Sequence, residues 1–190
     1  MTDFPLWFFP LVLIVSYLAT RIIVPFNIRF SLKHKLISMP NERSIHAVPV
    51  PTAGGLGFGL VIVTLQLLLG YLGLRMGHGS RMLNLGLISL LIIGLGLFDD
   101  KYKSRVRYKL LGEIVVALLM FYAGYRVTYL TNPLGDHFLL GWLALPATLL
   151  WFLLTMNAIN LIDGLDGLAA GVVCLVSLIL AVTGYRADSP

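Results

Sequence analysis

Charge is scarce in this 190-residue sequence: Asp, Glu, Lys and Arg make up 12% of it, against 58% hydrophobic residues. An ordinary soluble domain carries roughly twice that charged share, and the mean hydropathy here is +0.88. Cysteine is nearly absent as well. Cys174 is alone inside the last apolar run, so no intrachain disulfide can form and the residue reads as a small packing group. The opening MTDFPLWFFP has no Lys or Arg, and no small-residue cleavage site follows its apolar run, so the first segment is expected to be kept rather than removed as a signal peptide. A dinucleotide fingerprint is missing too: HAVPVPTAGGLGFG does not fit G-x-G-x-x-G, and no strand-then-helix context surrounds it.

What is present is apolar sequence in long runs. A bilayer span takes about 20 mostly apolar residues. The runs Leu6–Val24, Ala53–Leu74, Met82–Phe98, Leu110–Tyr125, Phe138–Thr155 and Leu168–Tyr185 qualify or nearly do. Leu110–Tyr125 is the shortest, but neighbouring helices and snorkelling ends carry a short span. These runs predict an all-α, multi-pass membrane protein with about six transmembrane helices in a single domain over 1–190. Basic residues in short loops set orientation. Arg21, Arg29, Lys33, Lys35 and Arg43 follow the first span, and Lys101, Lys103, Arg105, Arg107 and Lys109 follow the third, together 10 of the 14 basic residues. The amino terminus is therefore expected outside, with the loops after spans one, three and five at the cytoplasmic face. The net charge of +5 follows from that asymmetry and from anionic headgroups, so no nucleic-acid partner is implied.

This topology gathers the polar residues. NERSIHAVPVPTAGG falls in the first inner loop, FDDKYKSRVRYK in the second and NAINLIDGLDG in the third. Asp99 and Asp100 stand at the carboxyl end of the third helix, where the macrodipole is already negative and two adjacent carboxylates repel. A nearby Lys or Arg, or a divalent cation, must compensate. Asn157, Asn160 and Asp163 recur at steps of three and span an arc of about 120° on an α-helix. Asn160 and Asp163 offer the oxygens that hard cations such as Mg²⁺ take beside substrate phosphates. Helix capping would explain one of Asp163 and Asp166, but not both acids and both amides. Gly55 and Gly59 fit G-x-x-x-G, which lets membrane helices approach closely. His46 either touches phosphate or pyrimidine or is simply solvated. Basic residues and Mg²⁺ beside lipid suit phosphoryl transfer, which needs mostly positioning and charge neutralisation.

The three motifs RSIHAVPVPTAGG, FDDKYKSRVRYK and NAINLIDGLDGLAAG, in this order and separated by spans, resemble the polyprenyl-phosphate N-acetylhexosamine-1-phosphate transferases of glycosyltransferase family 4. The third is the most specific, and the form of the first looks closer to the branch acting on UDP-N-acetylglucosamine than to the branch making the first peptidoglycan lipid. The resemblance implies that a polyprenyl phosphate such as undecaprenyl phosphate attacks the sugar-attached phosphorus of a UDP-sugar and releases UMP. Such a reaction serves cell-wall or lipopolysaccharide synthesis at the inner (plasma) membrane. Asp99 and Asp100 match the family's catalytic acidic pair and Lys109 its lysine for the lipid phosphate. Asn160 matches a position associated with the metal, with Asp163 close to it, and Mg²⁺ (or Mn²⁺ in its place) is the implied cofactor. Asp166, with Asn157, matches the nucleotide position, and His46 is a weaker candidate. Family members extend further, through later loops with another metal-binding acid and a His motif. The chain is thus expected to be the amino-terminal part of a longer transferase domain, completed by a carboxyl-terminal half or by a homodimer partner. Two other readings compete: a non-catalytic membrane scaffold, and a cation-transporter subunit. In the latter, acids would line a midplane pathway, for which only Glu113 is placed.

Overall fold

The computed structural model of the chain describes residues 7–38, 50–51, 54–75, 79–132, 135–163 and 167–186. Six α-helices run through them: α1 (Phe8–Lys33), α2 (Gly54–Arg75), α3 (Ser80–Tyr102), α4 (Val106–Tyr122), α5 (Ala144–Ile162) and α6 (Leu168–Arg186). Two short antiparallel ladders join connecting segments. β1 (Ile37–Ser38) pairs with β2 (Val50–Pro51), Ile37 opposite Pro51, and β3 (Tyr129–Leu130) pairs with β4 (Phe138–Leu139), Tyr129 opposite Leu139. The chain divides into two compact units, Ser16–Leu153 and the combination of Met1–Val15 with Leu154–Pro190.

The chain is an all-α polytopic membrane protein. Phe8–Lys33, Gly54–Gly73, Ser80–Tyr102 and Gly141–Ile162 are long and apolar enough to cross a bilayer, and Leu168–Gly184 is a shorter apolar helix. Large side chains such as Leu13, Ile22, Leu175 and Leu178 are more than 60% exposed. In water so much bare apolar surface would drive association; in hydrocarbon it costs nothing. α4 has 17 residues, about 26 Å of helix, a little short of the roughly 30 Å hydrocarbon core. Its buried face carries Glu113, Val116, Ala117 and Met120, and Gly124 at φ 96° lies just beyond its carboxyl end.

The helices begin and end differently from the apolar runs. α1 continues through Pro25 to Lys33, so Arg21, Arg29 and Lys33 stand on the helix and not in a loop. At 26 residues it measures about 39 Å and outruns the hydrocarbon core, which lets its basic end snorkel to the headgroups. The second basic stretch is also mostly helical. Lys101 belongs to α3, Arg107 and Lys109 belong to α4, and only 103–105 connect the two. Hydropathy stops where charge begins, but a backbone hydrogen-bond ladder continues into the interface, where long cationic side chains reach water.

Within the larger unit, α2, α3 and α4 form successive antiparallel hairpins held by glycines. A Cβ on Gly70 would lie 2.7 Å from the Leu83 backbone nitrogen, and one on Gly86 would lie 2.8 Å from Leu67 Cδ2. Between α3 and α4, a Cβ on Gly112 would lie 2.5 Å from Leu95 Cδ1. At Gly70 the close atom is backbone, so only hydrogen fits there; at Gly86 and Gly112 a leucine side chain would have to shift. Gly70→Ala is therefore expected to destabilise the protein by about 1–3 kcal/mol, because backbone and not a side-chain tip must yield. Gly94→Ala meets nothing within 4 Å and gains helix propensity of under about 1 kcal/mol. Thermal unfolding of the two variants in detergent should move in opposite directions.

Candidate functional site

The acidic pair sits on the last full turn of α3. That helix ends in a left-handed cap: Lys103 has φ 44° and ψ 59°, and its N–H donates to the Asp99 carbonyl at 2.8 Å. Such a single bond from the left-handed residue to the carbonyl four positions back satisfies an orphaned helix-end acceptor and reverses the chain. The reversal folds Ser104 back over the turn it has just left, and the Ser104 hydroxyl donates to Asp99 Oδ1 at 2.5 Å.

α4 then returns antiparallel to α3. The Leu95–Gly112 contact sets the register of the two helices, and Lys109, three residues before Gly112, comes level with Asp99, four residues after Leu95. Lys109 Nζ lies 3.6 Å from Asp99 Oδ2, with side chains 25% and 30% exposed. One carboxylate of the pair is thus taken up on both oxygens, by a hydroxyl and an ammonium group. Asp100 is exposed and lines one end of a groove of about 330 Å³ between α2 and α3. The repulsion expected between neighbouring acids at a negative helix end is compensated on Asp99. Sequence reasoning had five basic residues available for that role; the helix register selects Lys109. It missed Ser104, whose role depends on a left-handed turn at a lysine, a residue type that rarely adopts one.

The other group of polar residues belongs to the unit that contains Leu154–Pro190. Asn157 and Asn160 stand on the last two turns of α5, which stays α-helical to Ile162, so the 120° arc applies and not the eclipsed arrangement of a 3₁₀ turn. Both amides are exposed, as is Asp163, whose N–H closes the helix by donating to the Ile159 carbonyl at 3.1 Å. Asp163 does not cap α6. That helix opens at Gly167, whose carbonyl accepts the Gly171 N–H at 2.8 Å and whose φ of 78° suits a residue without a side chain. Asp166 and Gly164 lie outside the described residues, and so does His46. Glu113 is 4% exposed on the inward face of α4, two turns in from its start.

Among the described residues, no group of three or more His, Cys, Asp or Glu side chains is placed to hold a metal ion. Of the candidate oxygen donors, Asp100 in one unit and Asn157, Asn160 and Asp163 in the other are exposed. The chemistry of Asn160 and Asp163, within their own unit, fits a hard cation, which commonly takes one or two protein carboxylates and completes its shell with phosphate oxygens and water.

The sequence profile of Glycosyl transferase family 4 matches residues 82–189, more than half of the chain. A Bacillus subtilis protein named as a probable undecaprenyl-phosphate N-acetylglucosaminyl 1-phosphate transferase is 38% identical over 159 residues, 83% of this chain and 43% of the relative. A Mycobacterium leprae decaprenyl-phosphate N-acetylglucosaminephosphotransferase is 32% identical over 178 residues, 89% of this chain and 43% of its own length. A phospho-N-acetylmuramoyl-pentapeptide-transferase of Caldicellulosiruptor bescii is 31% identical over 191 aligned residues, 90% of this chain and 57% of the relative. The chain thus spans about half the length of the curated relatives it matches. No solved structure matches.

Proposed function

The chain belongs to glycosyl transferase family 4, and from that membership we propose that it takes part in transferring an N-acetylhexosamine-1-phosphate from a UDP-sugar to a polyprenyl phosphate at the cytoplasmic face of the plasma membrane. A lipid-phosphate oxygen forms a new bond to the phosphorus that carries the sugar. The bond from that phosphorus to the oxygen bridging it to the uridine phosphate breaks, and UMP leaves with the bridging oxygen. The product is a polyprenyl-diphosphate sugar that stays in the bilayer.

One observation carries this reading: the carboxyl end of α3 keeps two adjacent acids, of which Asp99 pairs with Lys109 and accepts a hydrogen bond from Ser104, and Asp100 is exposed. A second acid at a negative helix end is locally unfavourable, so its presence asks for a use. In the proposed reaction Asp100 accepts the proton of the lipid phosphate monoester, whose second pKa is near 6, and Lys109 places that phosphate. Asn160 and Asp163 hold Mg²⁺, which when bound neutralises the diphosphate of the donor. Asn157 and Asp166 serve the nucleotide.

The test is Mg²⁺-dependent transfer of label from UDP-N-acetylglucosamine into solvent-extractable lipid. It is measured in membranes holding the chain alone, and holding it joined to the carboxyl-terminal part of the Bacillus subtilis relative. Chelation should abolish transfer. Asn160→Ala and Asp163→Ala should each raise the Mg²⁺ concentration for half-maximal rate by at least about tenfold, the scale set even by outer-shell partners of metal sites. An unchanged Mg²⁺ requirement in both variants would remove them from the metal.

A further inference from the structure

The ribbon of β3 and β4 is apolar on both faces. Opposed residues of a ladder share a face and neighbours alternate, so Tyr129 and Leu139 stand on one face and Leu130 and Phe138 on the other. All four are more than half exposed, and Trp142, just after β4, is 83% exposed. A two-stranded hairpin is marginal in water even without such a surface. Two hydrogen bonds fix how deep this one sits. α4 stops at Tyr122, and the Tyr125 hydroxyl donates to the Arg81 carbonyl at 3.0 Å, level with the first turn of the spanning α3. The Val127 N–H then donates to Thr148 Oγ1 at 2.9 Å. Thr148 is fully buried, and its hydroxyl donates onward to the Ala144 carbonyl at 2.6 Å. Thr148 lies seven residues into the apolar stretch Gly141–Ile162, about 10 Å along a helix. A strand rises about 3.3 Å per residue, so Tyr129, two residues on from Val127, climbs at most about 7 Å. The ladder cannot clear the level at which that span begins.

We infer that the β3–β4 ribbon is inserted in the membrane: it lies at the headgroup–acyl boundary of the leaflet opposite Asp99 and completes the crossing that the 17-residue α4 leaves short. Phospholipid is the partner that its two faces fit. Two constraints bracket the depth. Large apolar side chains bare on both faces exclude bulk water. Open strand edges exclude the hydrocarbon centre, where no water reaches unpaired backbone groups. The boundary between them suits Tyr129 and Trp142, whose rings are apolar and whose tips are polar. The stretch from α4 to the ribbon is built for the same place. The N–H groups of Ala123, Gly124 and Tyr125 donate to the Leu119, Phe121 and Met120 carbonyls, and that of Val127 to Thr148, so these donors enter the bilayer satisfied although the helix has ended.

The test uses the full chain carrying Cys174→Ser, reconstituted in phosphatidylcholine vesicles, with a nitroxide on a cysteine introduced singly by Phe138→Cys, Leu139→Cys or Asp136→Cys. Collision with oxygen, which concentrates in hydrocarbon, is compared with collision with a water-soluble nickel chelate. Positions 138 and 139, on opposite faces, should both favour oxygen over nickel several-fold relative to position 136, between the strands. Nickel collision at 138 and 139 equal to that at 136 would put the ribbon in water and overturn the assignment. Exclusion of both reagents from either face, or spectral broadening that vanishes on dilution with unlabelled chain, would overturn it too, since protein and not lipid would then cover the ribbon. Thr148→Val removes the acceptor of the Val127 N–H at nearly constant volume and should raise nickel collision at 139, while Thr148→Ser should restore the parent value. Equal nickel collision at 139 in Thr148→Val and the parent would show that Thr148 does not set the depth. None of these measurements needs turnover, so the result is independent of transferase activity.

Discussion

On the proposed reaction, Asp100→Ala should lower transfer of sugar phosphate to lipid by at least about 100-fold, the low end of what a positioned proton acceptor contributes, and should leave the protein as stable as before. The second half follows from position. Asp100 is exposed and stands at the negative end of α3, so removing its charge relieves an unfavourable interaction with the helix dipole, worth a few tenths of a kcal/mol. Stability and activity should therefore separate. Asp100→Asn keeps the shape and hydrogen-bonding capacity but cannot take a proton, and should be as inactive as the alanine variant. Initial rates in membranes, set against thermal unfolding of the same preparations, provide the check. A rate within a few-fold of the parent for either variant would show that the exposed acid has no part in the chemistry.

Lys109→Ala should also split the two properties. The Lys109–Asp99 pair is about a quarter to a third exposed and 3.6 Å apart, and a pair of that kind is worth at most about 1 kcal/mol to folding. A lysine that also binds a phosphate makes charge-assisted bonds of about 1.5–3 kcal/mol, so its loss should cost roughly ten- to a hundredfold in kcat/KM. The loss should appear in the KM for the lipid acceptor and leave the KM for the UDP-sugar nearly unchanged. Lys109→Arg keeps the charge and should recover part of it. Ser104→Ala, which touches only Asp99 among these groups, should fall between parent and Lys109→Ala. Were Lys109→Ala to unfold the protein in step with its loss of rate, the ion pair would be structural and the acceptor phosphate would need another cation.

Much of the architecture was legible in the linear sequence because a bilayer leaves few choices. Backbone in hydrocarbon must satisfy its own hydrogen bonds, so six apolar runs become six helices. The ends of those helices were not legible. Hydropathy marks where lipid stops, while α1 runs on through Pro25 to Lys33 and α3 runs on through Asp99 and Asp100 to Tyr102. Asp99 and Asp100, expected at the carboxyl end of the third helix, stand on its last turn, and the apolar run that stops at Phe98 did not mark where that turn ends.

The candidate site divides along the same line. That Asp99, Asp100, Asn157, Asn160 and Asp163 stand out could be seen from the sequence alone, since charge and amide groups are expensive in such a chain. That Lys109 and Ser104 meet Asp99 could not be seen. Asp99 and Asp100 are chemically identical neighbours about 100° apart on the helix, and the α3–α4 register, set where Gly112 admits Leu95, is what brings Lys109 level with Asp99. Residue chemistry by itself determined a multi-pass membrane protein with oxygen donors grouped near helix ends. The tertiary structure alone decided that Lys109 and Ser104 meet Asp99, because that depends on what the returning chain brings within a few ångströms.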